Sequence, residues 1–149
     1  MTTFVIHELV TNLIQPFNVN VGYRLQMHTV RPYLFFNDAP AGTFTLGLYS
    51  GATLLDSDSI TFAQIKSYIA TTDDYIAAFC SFRFSSNPVL NPGVYSLKLT
   101  STGYAYDQAI YVGWISLHEN LINQITYSPV SDEENPLTYQ LWGHRWLES

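Results

Sequence analysis

Residues Thr43 to Ser50 read TFTLGLYS, which sets Phe44, Leu46 and Leu48 on one side of an extended chain and Thr43, Thr45 and Tyr49 on the other. A period of two does not suit a helix, where a buried stripe recurs every three or four residues; it is the pattern of a strand with one face in a core. The same pattern returns from Val94 to Thr100, where Tyr95, Leu97 and Leu99 alternate with Ser96 and Lys98. Ile76 to Phe84 is apolar on both faces, as expected of a central strand covered on both sides. Further strands are expected over Phe4 to Val10, Tyr23 to Val30, Tyr33 to Phe36, Ala109 to Ser116, Asn123 to Tyr127 and Thr138 to Trp146. Between these segments stand Asn37-Asp38-Ala39-Pro40, Ser50-Gly51, Ser86-Asn87-Pro88, Asn91-Pro92-Gly93, Ser101-Thr102-Gly103 and Asn135-Pro136, all rich in turn-forming residues. Short strands separated by such turns make an all-β chain, an antiparallel β-sandwich or jelly roll of about eight to nine strands.

One stretch departs from the period of two. In SITFAQIKSY, Ser59 to Tyr68, the apolar residues Phe62 and Ile65, with Ile69 just beyond, fall at helical spacing. Ser59 or Thr61 is placed to cap the free amides of a first turn. A short helix bridging two sheets is expected there. The first 30 residues are less regular: Asn12, Gln15, Asn18 and Asn20 interrupt the apolar pattern, and Pro16 confines its strand to a sheet edge or ends it. Residues 1–30 therefore read as an N-terminal arm with the first strands, suited to pairing with a neighbouring subunit, and residues 31–149 as the body of a single-domain sandwich.

A length of 149 residues fits one hydrophobic core. Charged residues make up 12% of the chain, against roughly 25% in ordinary soluble domains. Six Lys and Arg against twelve Asp and Glu leave a net charge of −6, and Arg24, Arg31, Lys66, Arg83, Lys98 and Arg145 are scattered along the sequence. Nucleic acid is not an expected partner, because a phosphate backbone calls for a clustered basic surface. Apolar runs are too short for a membrane-spanning helix, and no membrane partner is expected. The opening MTTFVIHELV lacks the basic and long apolar regions of a secretion signal, and the lone Cys80 has no partner for an internal disulfide; synthesis in a reducing cytoplasm is expected.

Catalytic signatures are missing from the sequence: there is no nucleophile elbow, phosphate loop, zinc-binding helix or C-x-x-C pair. His118-Glu119-Asn120 comes nearest, yet neighbouring strand residues point to opposite faces and would not converge on one substrate. The spacing of His7, His28, His118 and His144 does not define a metal site. Asp56-Ser57-Asp58, Asp73-Asp74 and Asp132-Glu133-Glu134 are expected in loops, where they either keep the tips soluble or bind calcium, although none has the spacing of a dedicated calcium loop. No enzyme activity, cofactor or metal is expected. The remaining feature is aromatic. Tyr, Phe and Trp number 11, 9 and 3, and Tyr104-Ala105-Tyr106 follows Gly103 in an expected loop, where the rings are placed to stack on a sugar or fill a pocket in a partner protein. Trp114 and Trp142 are expected in the core.

NDAPAGTFTLGLYSG (Asn37 to Gly51), LNPGVYSLKLTSTGYAYDQAIYVGW (Leu90 to Trp114) and NPLTYQLW (Asn135 to Trp142) together resemble small β-sandwich accessory proteins of tailed-phage virions, of the decoration, cement or tail-associated kind. That resemblance implies a non-enzymatic structural role in the virion, binding other virion proteins such as the major capsid protein or tail proteins, and a homo-oligomer. Phe4 and Ile6 on the arm, with Tyr104 and Tyr106 in the loop, are the expected partner-binding residues. The competing reading is a carbohydrate-binding or receptor-binding adhesin, in which Tyr104 and Tyr106 stack on a glycan and Asp107 or Gln108 bonds its hydroxyls.

Overall fold

The computed structural model describes residues 5–19, 21, 23–116 and 139–147. Its elements are β1 (Val5–Glu8), β2 (Leu13–Val19), β3 (Tyr23–Asn37), β4 (Thr43–Ser50), β5 (Thr53–Thr61), α1 (Phe62–Tyr68), β6 (Ile76–Phe79), β7 (Phe82–Arg83), β8 (Val89–Leu90), β9 (Gly93–Thr102), β10 (Tyr111–Ser116) and β11 (Tyr139–Leu147). They form two antiparallel sheets. The four-stranded sheet runs β2-β9-β4-β5; the seven-stranded sheet runs β1-β10-β3-β11, with β6, β7 and β8 also paired to β3. This is the expected β-sandwich. The expected strand over Asn123 to Tyr127 lies outside the described residues, as do His118-Glu119-Asn120 and Asp132-Glu133-Glu134.

The alternation in the sequence is what closes the core. Phe44, Leu46 and Leu48 of β4 and Leu97 and Leu99 of β9 point inward from one sheet, and Leu34, Phe36, Ile76, Phe82 and Val112 from the other, all essentially without solvent contact. Phe36 joins the layers through edge-on contact with Phe44, their ring centres 5.8 Å apart.

β3 is one long strand where the sequence suggested two. Pro32 does not break it, because Arg31 and Pro32 fall opposite Cys80 and Ser81, the gap between β6 and β7, where a missing amide leaves no ladder bond unmade. Its alternation changes phase midway: Leu25 and Met27 are buried, then Val30, Leu34 and Phe36. Thr29 pairs with Trp142 and Met27 with Gly143, so His28 is the extra residue of a bulge. The bulge turns both halves of the strand back toward the same core.

The N-terminal strands are used within the chain. β1 pairs with β10 in the register Ile6 to Ile115 and Glu8 to Gly113, and β2 pairs with β9 along seven residues. Gln15 in β2 points inward and is fully buried. Between β3 and β4, Gly42 has φ +101°, and a Cβ there would come within 2.7 Å of the Thr102 carbonyl, so only glycine allows the loop to lie against the end of β9.

The helix begins at the later of the two expected caps. Thr61 is its N-cap: its hydroxyl accepts the Gln64 amide at 3.2 Å, and the Gln64 side chain accepts the Thr61 amide at 2.8 Å, a complete capping box. Phe62 and Ile65 are its buried residues, and it carries the chain from the four-stranded sheet to the seven-stranded one. Residues Asp56 to Thr61, expected as loop and first helical turn, belong to β5. There Asp56 and Asp58 stand opposite the inward-facing Leu48 and Leu46. The Asp58 carboxylate accepts the Arg83 amide at 2.7 Å; that of Asp56 accepts the Ser86 amide at 3.0 Å and its hydroxyl at 2.6 Å. The acids thus tie the edge of one sheet to the margin of the other, and inward-pointing charge on an edge strand opposes edge-to-edge aggregation. Among the described residues no helix is long and apolar enough to cross a membrane.

Candidate interaction face

The strands that supply the core also present their alternate residues outward. On β3 these are Tyr33, Phe35 and Asn37, since Leu34 and Phe36 are buried between them. Register then fixes the neighbours. Phe35 stands beside Gly113 of β10 and Ala77 of β6, Asn37 beside Tyr111, and Tyr33 beside Phe79. The rings meet: Tyr33 and Phe79 have centres 4.9 Å apart, Phe35 and Tyr111 5.9 Å, and Tyr111 and Tyr106 6.3 Å. All five are half-buried. Ile6, 41% exposed, extends the face onto β1. It lies over Gly113, where any Cβ would collide with its side chain.

Of the four residues expected to bind a partner, this face brings together Ile6 and Tyr106. Tyr106 is held by its hydroxyl, which donates to the Glu8 carboxylate of β1. That bond, together with loss of solvent and the Glu8 charge, pushes the phenol up to about 12, so it is neutral and a donor across the physiological range.

Tyr104 is placed differently. Its ring packs edge-on against the core residue Phe44 at 5.3 Å, its hydroxyl donates to the Leu9 carbonyl at 2.9 Å, and the Val112 amide donates to that hydroxyl at 3.3 Å. It pins the loop after β9 to the end of β1 and the start of β10. Burial raises its phenol as well. In the same loop, the Asp107 carboxylate accepts the Ala109 amide at 2.8 Å. Phe4 lies outside the described residues.

Sequence reasoning passed over Tyr33, Phe35, Phe79 and Tyr111. The signal was present in Tyr33-Leu34-Phe35-Phe36, which is apolar on both faces, as was the doubly apolar Ile76 to Phe84. The latter is not a central strand: it divides into β6 and β7, both paired to β3, with Ala77 exposed. Its second apolar face is part of this outward patch.

Chemistry beyond packing has few candidates. Among the described residues no group of three His, Cys, Asp or Glu is placed to hold a metal ion. Burial pushes the Cys80 thiol up to about 12, which keeps it protonated and a poor nucleophile. His7, partly buried, is lowered and so neutral at pH 7. Compared with known proteins, the chain gives no match: no family model, no curated protein and no solved structure is similar to it.

Proposed function

We propose that this chain is a non-enzymatic structural protein of a tailed-phage virion, a capsid decoration or cement protein that binds other virion proteins through the outward face of its seven-stranded sheet. The observation that carries the reading is the row Tyr106–Tyr111–Phe35 with Tyr33–Phe79 beside it and Ile6 at its margin. Half-buried aromatic side chains on a rigid sheet are the composition of an interface core: large apolar area, few rotamers to freeze, and little charge to strip of water. Glu8, the acid of this face on β1, is already hydrogen-bonded to Tyr106.

The adhesin reading is supported less. A sugar platform of Tyr104 and Tyr106 needs two open rings, and the Tyr104 ring is packed on Phe44 with both hydroxyl contacts made to main chain. Imaging of purified particles tests the proposal. A regular copy number on the head shell is the expected result. Location at a tail tip, with glycan-array binding lost in a Tyr106→Ala variant, would establish adhesion instead. Absence of the chain from particles would sink both.

A further inference from the structure

β1 is an end strand of its sheet: β10 pairs with it on one side, and no strand among the described residues pairs with it on the other. Which of its main-chain groups stand free follows from one bond. The Leu9 amide donates to the Val112 carbonyl at 2.8 Å, which makes Leu9 and Val112 a hydrogen-bonded pair of the ladder. The Tyr104 hydroxyl carries the return bond of that pair, accepting the Val112 amide and donating to the Leu9 carbonyl. Bonded and non-bonded pairs alternate along an antiparallel ladder. His7 opposite Trp114 and Val5 opposite Ser116 therefore bond towards β10, and the amides and carbonyls of Ile6 and Glu8 point away from it.

Both edges of the four-stranded sheet are blunted. On β2, Pro16 has no amide to give, and its carbonyl already accepts the Gln15 side chain at 2.7 Å. On β5, Asp56 and Asp58 turn charge inward. β1 carries neither device: it has no proline, and its one acid, Glu8, lies on the outward side, hydrogen-bonded to Tyr106.

We propose that the free edge of β1 is a dimer seam, pairing antiparallel with β1 of a second copy of this chain across a two-fold axis. A strand edge that offers donors and acceptors in alternation is complementary to itself when turned end for end, and such a seam closes at two copies. Parity fixes the register. Only residues whose main chain points outward can bond, so Ile6 of each copy stands opposite Glu8 of the other, making four main-chain bonds with the two His7 facing across the axis. A register centred on Glu8 would set two carboxylates directly opposite each other, and one centred on Ile6 makes only two bonds within Val5–Glu8. In the chosen register the two Ile6 side chains are diagonal neighbours, and the aromatic rows that end there run together across the axis. The seam is made of main chain and does not depend on the virion reading.

Sedimentation velocity of the purified chain at about 100 µM tests the inference. A dimer is expected, and a monomer overturns the proposal. Ile6→Pro removes an outward amide and no bond to β10, so it should weaken dimerisation about tenfold or more while thermal melting shows the chain still folded. Ile6→Ala, which keeps that amide, should still dimerise. A dimer that survives Ile6→Pro overturns the proposal, and so does loss in both variants, which would place the contact on side chains. Position 7 checks the pairing without proline. Residues facing each other in a non-bonded pair have Cα atoms about 4.5 Å apart, within reach of a disulfide, and the native Cys80 is buried. Oxidation should link His7→Cys into a covalent dimer and leave Ile14→Cys, at an exposed position of β2, unlinked. No link in His7→Cys, or equal links in both, overturns the seam.

Discussion

The two outward faces of this sandwich are built on the same strand geometry and differ in how their aromatic residues are grouped. On the four-stranded sheet the outward residues of β4, β9 and β5 include Thr43, Thr45, Ser96, Thr100, Ser57 and Ser59, with Thr45 and Ser59 hydroxyls 2.8 Å apart, Lys98 over the Tyr49 ring, and Leu54 and Val94 as exposed apolar residues. On the seven-stranded sheet the half around β10 and β6 presents Tyr33, Phe35, Phe79 and Tyr111, and the half around β7 presents Thr29, Arg31 and Arg83. Folding needs only the inward half of each alternation. The outward half is unconstrained by the core, so a cluster of rings in contact on one side, against hydroxyls with scattered apolar residues on the other, marks the face suited to a partner.

The comparison breaks most directly by exchanging the chemistry. Phe35→Ser with Tyr111→Ser should abolish incorporation into particles, since two interface anchors of about 2 kcal/mol each cost roughly a thousandfold in affinity. Thr45→Ala with Thr100→Ala, the matching pair across the sandwich, should leave incorporation unchanged. Equal effects from the two pairs would mean that the faces do not differ in function.

Stability separates Tyr104 from Tyr106 next. Tyr104→Ala removes a ring from Phe44 and a hydroxyl from two main-chain groups, and should cost about 3 kcal/mol in denaturant unfolding. Tyr104→Phe should cost about 1 kcal/mol. Tyr106→Ala, on the outward side, should shift the unfolding midpoint much less; a larger loss there than at Tyr104 would reverse their assigned places.

A smaller effect is expected in acid. Burial works to raise the Asp56 carboxyl, but the Ser86 hydroxyl and amide, the Ser57 amide and the Arg83 charge outweigh it and hold the carboxyl below its ordinary value of 3.8. A depressed folded value means that the ionised form stabilises the fold above the unfolded value, and that this contribution is lost as pH falls through the lower folded one. Unfolding followed from neutral pH downward should therefore show a steeper acid loss in the native chain than in Asp56→Asn. Parallel curves would show that the tie between β5 and Ser86 does not depend on ionisation.

The smallest change should come from salt. An aromatic interface is screened little, so raising salt from about 0.05 to about 1 M should alter particle binding less than about tenfold. Release by salt alone would move the contact to an ionic surface.

How much could be read in advance follows from how strongly each residue is constrained. TFTLGLYS was legible because every second residue of β4 is buried, and the helix because Thr61 and Gln64 carry a capping box in their spacing. β5 was not, since Asp56 and Asp58 break the apolar pattern with carboxylates whose partners, Arg83 and Ser86, lie far away in sequence. β2 was obscured by Gln15, a polar residue in a core position. The interaction face was half legible: Ile6 and Tyr106 stood out as apolar or aromatic residues in an arm and a loop, whereas Phe35 and Tyr111 counted as strand residues like any other. Only the pairing of β10 with β3 shows that they meet.

The bulge in β3 also governs how this strand tolerates a change of length. Removing one residue almost anywhere along Tyr23–Asn37 would exchange inside for outside on one flank, carrying rings into the core and leucines into solvent. At His28 the outcome differs. Loss of that residue would restore an unbroken alternation in which Leu25, Met27, Val30, Leu34 and Phe36 all still point inward. The strand has one position at which a single-codon deletion keeps the core residues in phase, and its cost falls on the His28 carbonyl, which accepts the Phe84 amide at 2.8 Å and Arg83 Nη1 at 2.9 Å. Length variation there would alter the margin between β3 and β7 while the core and the rings around β10 keep their residues.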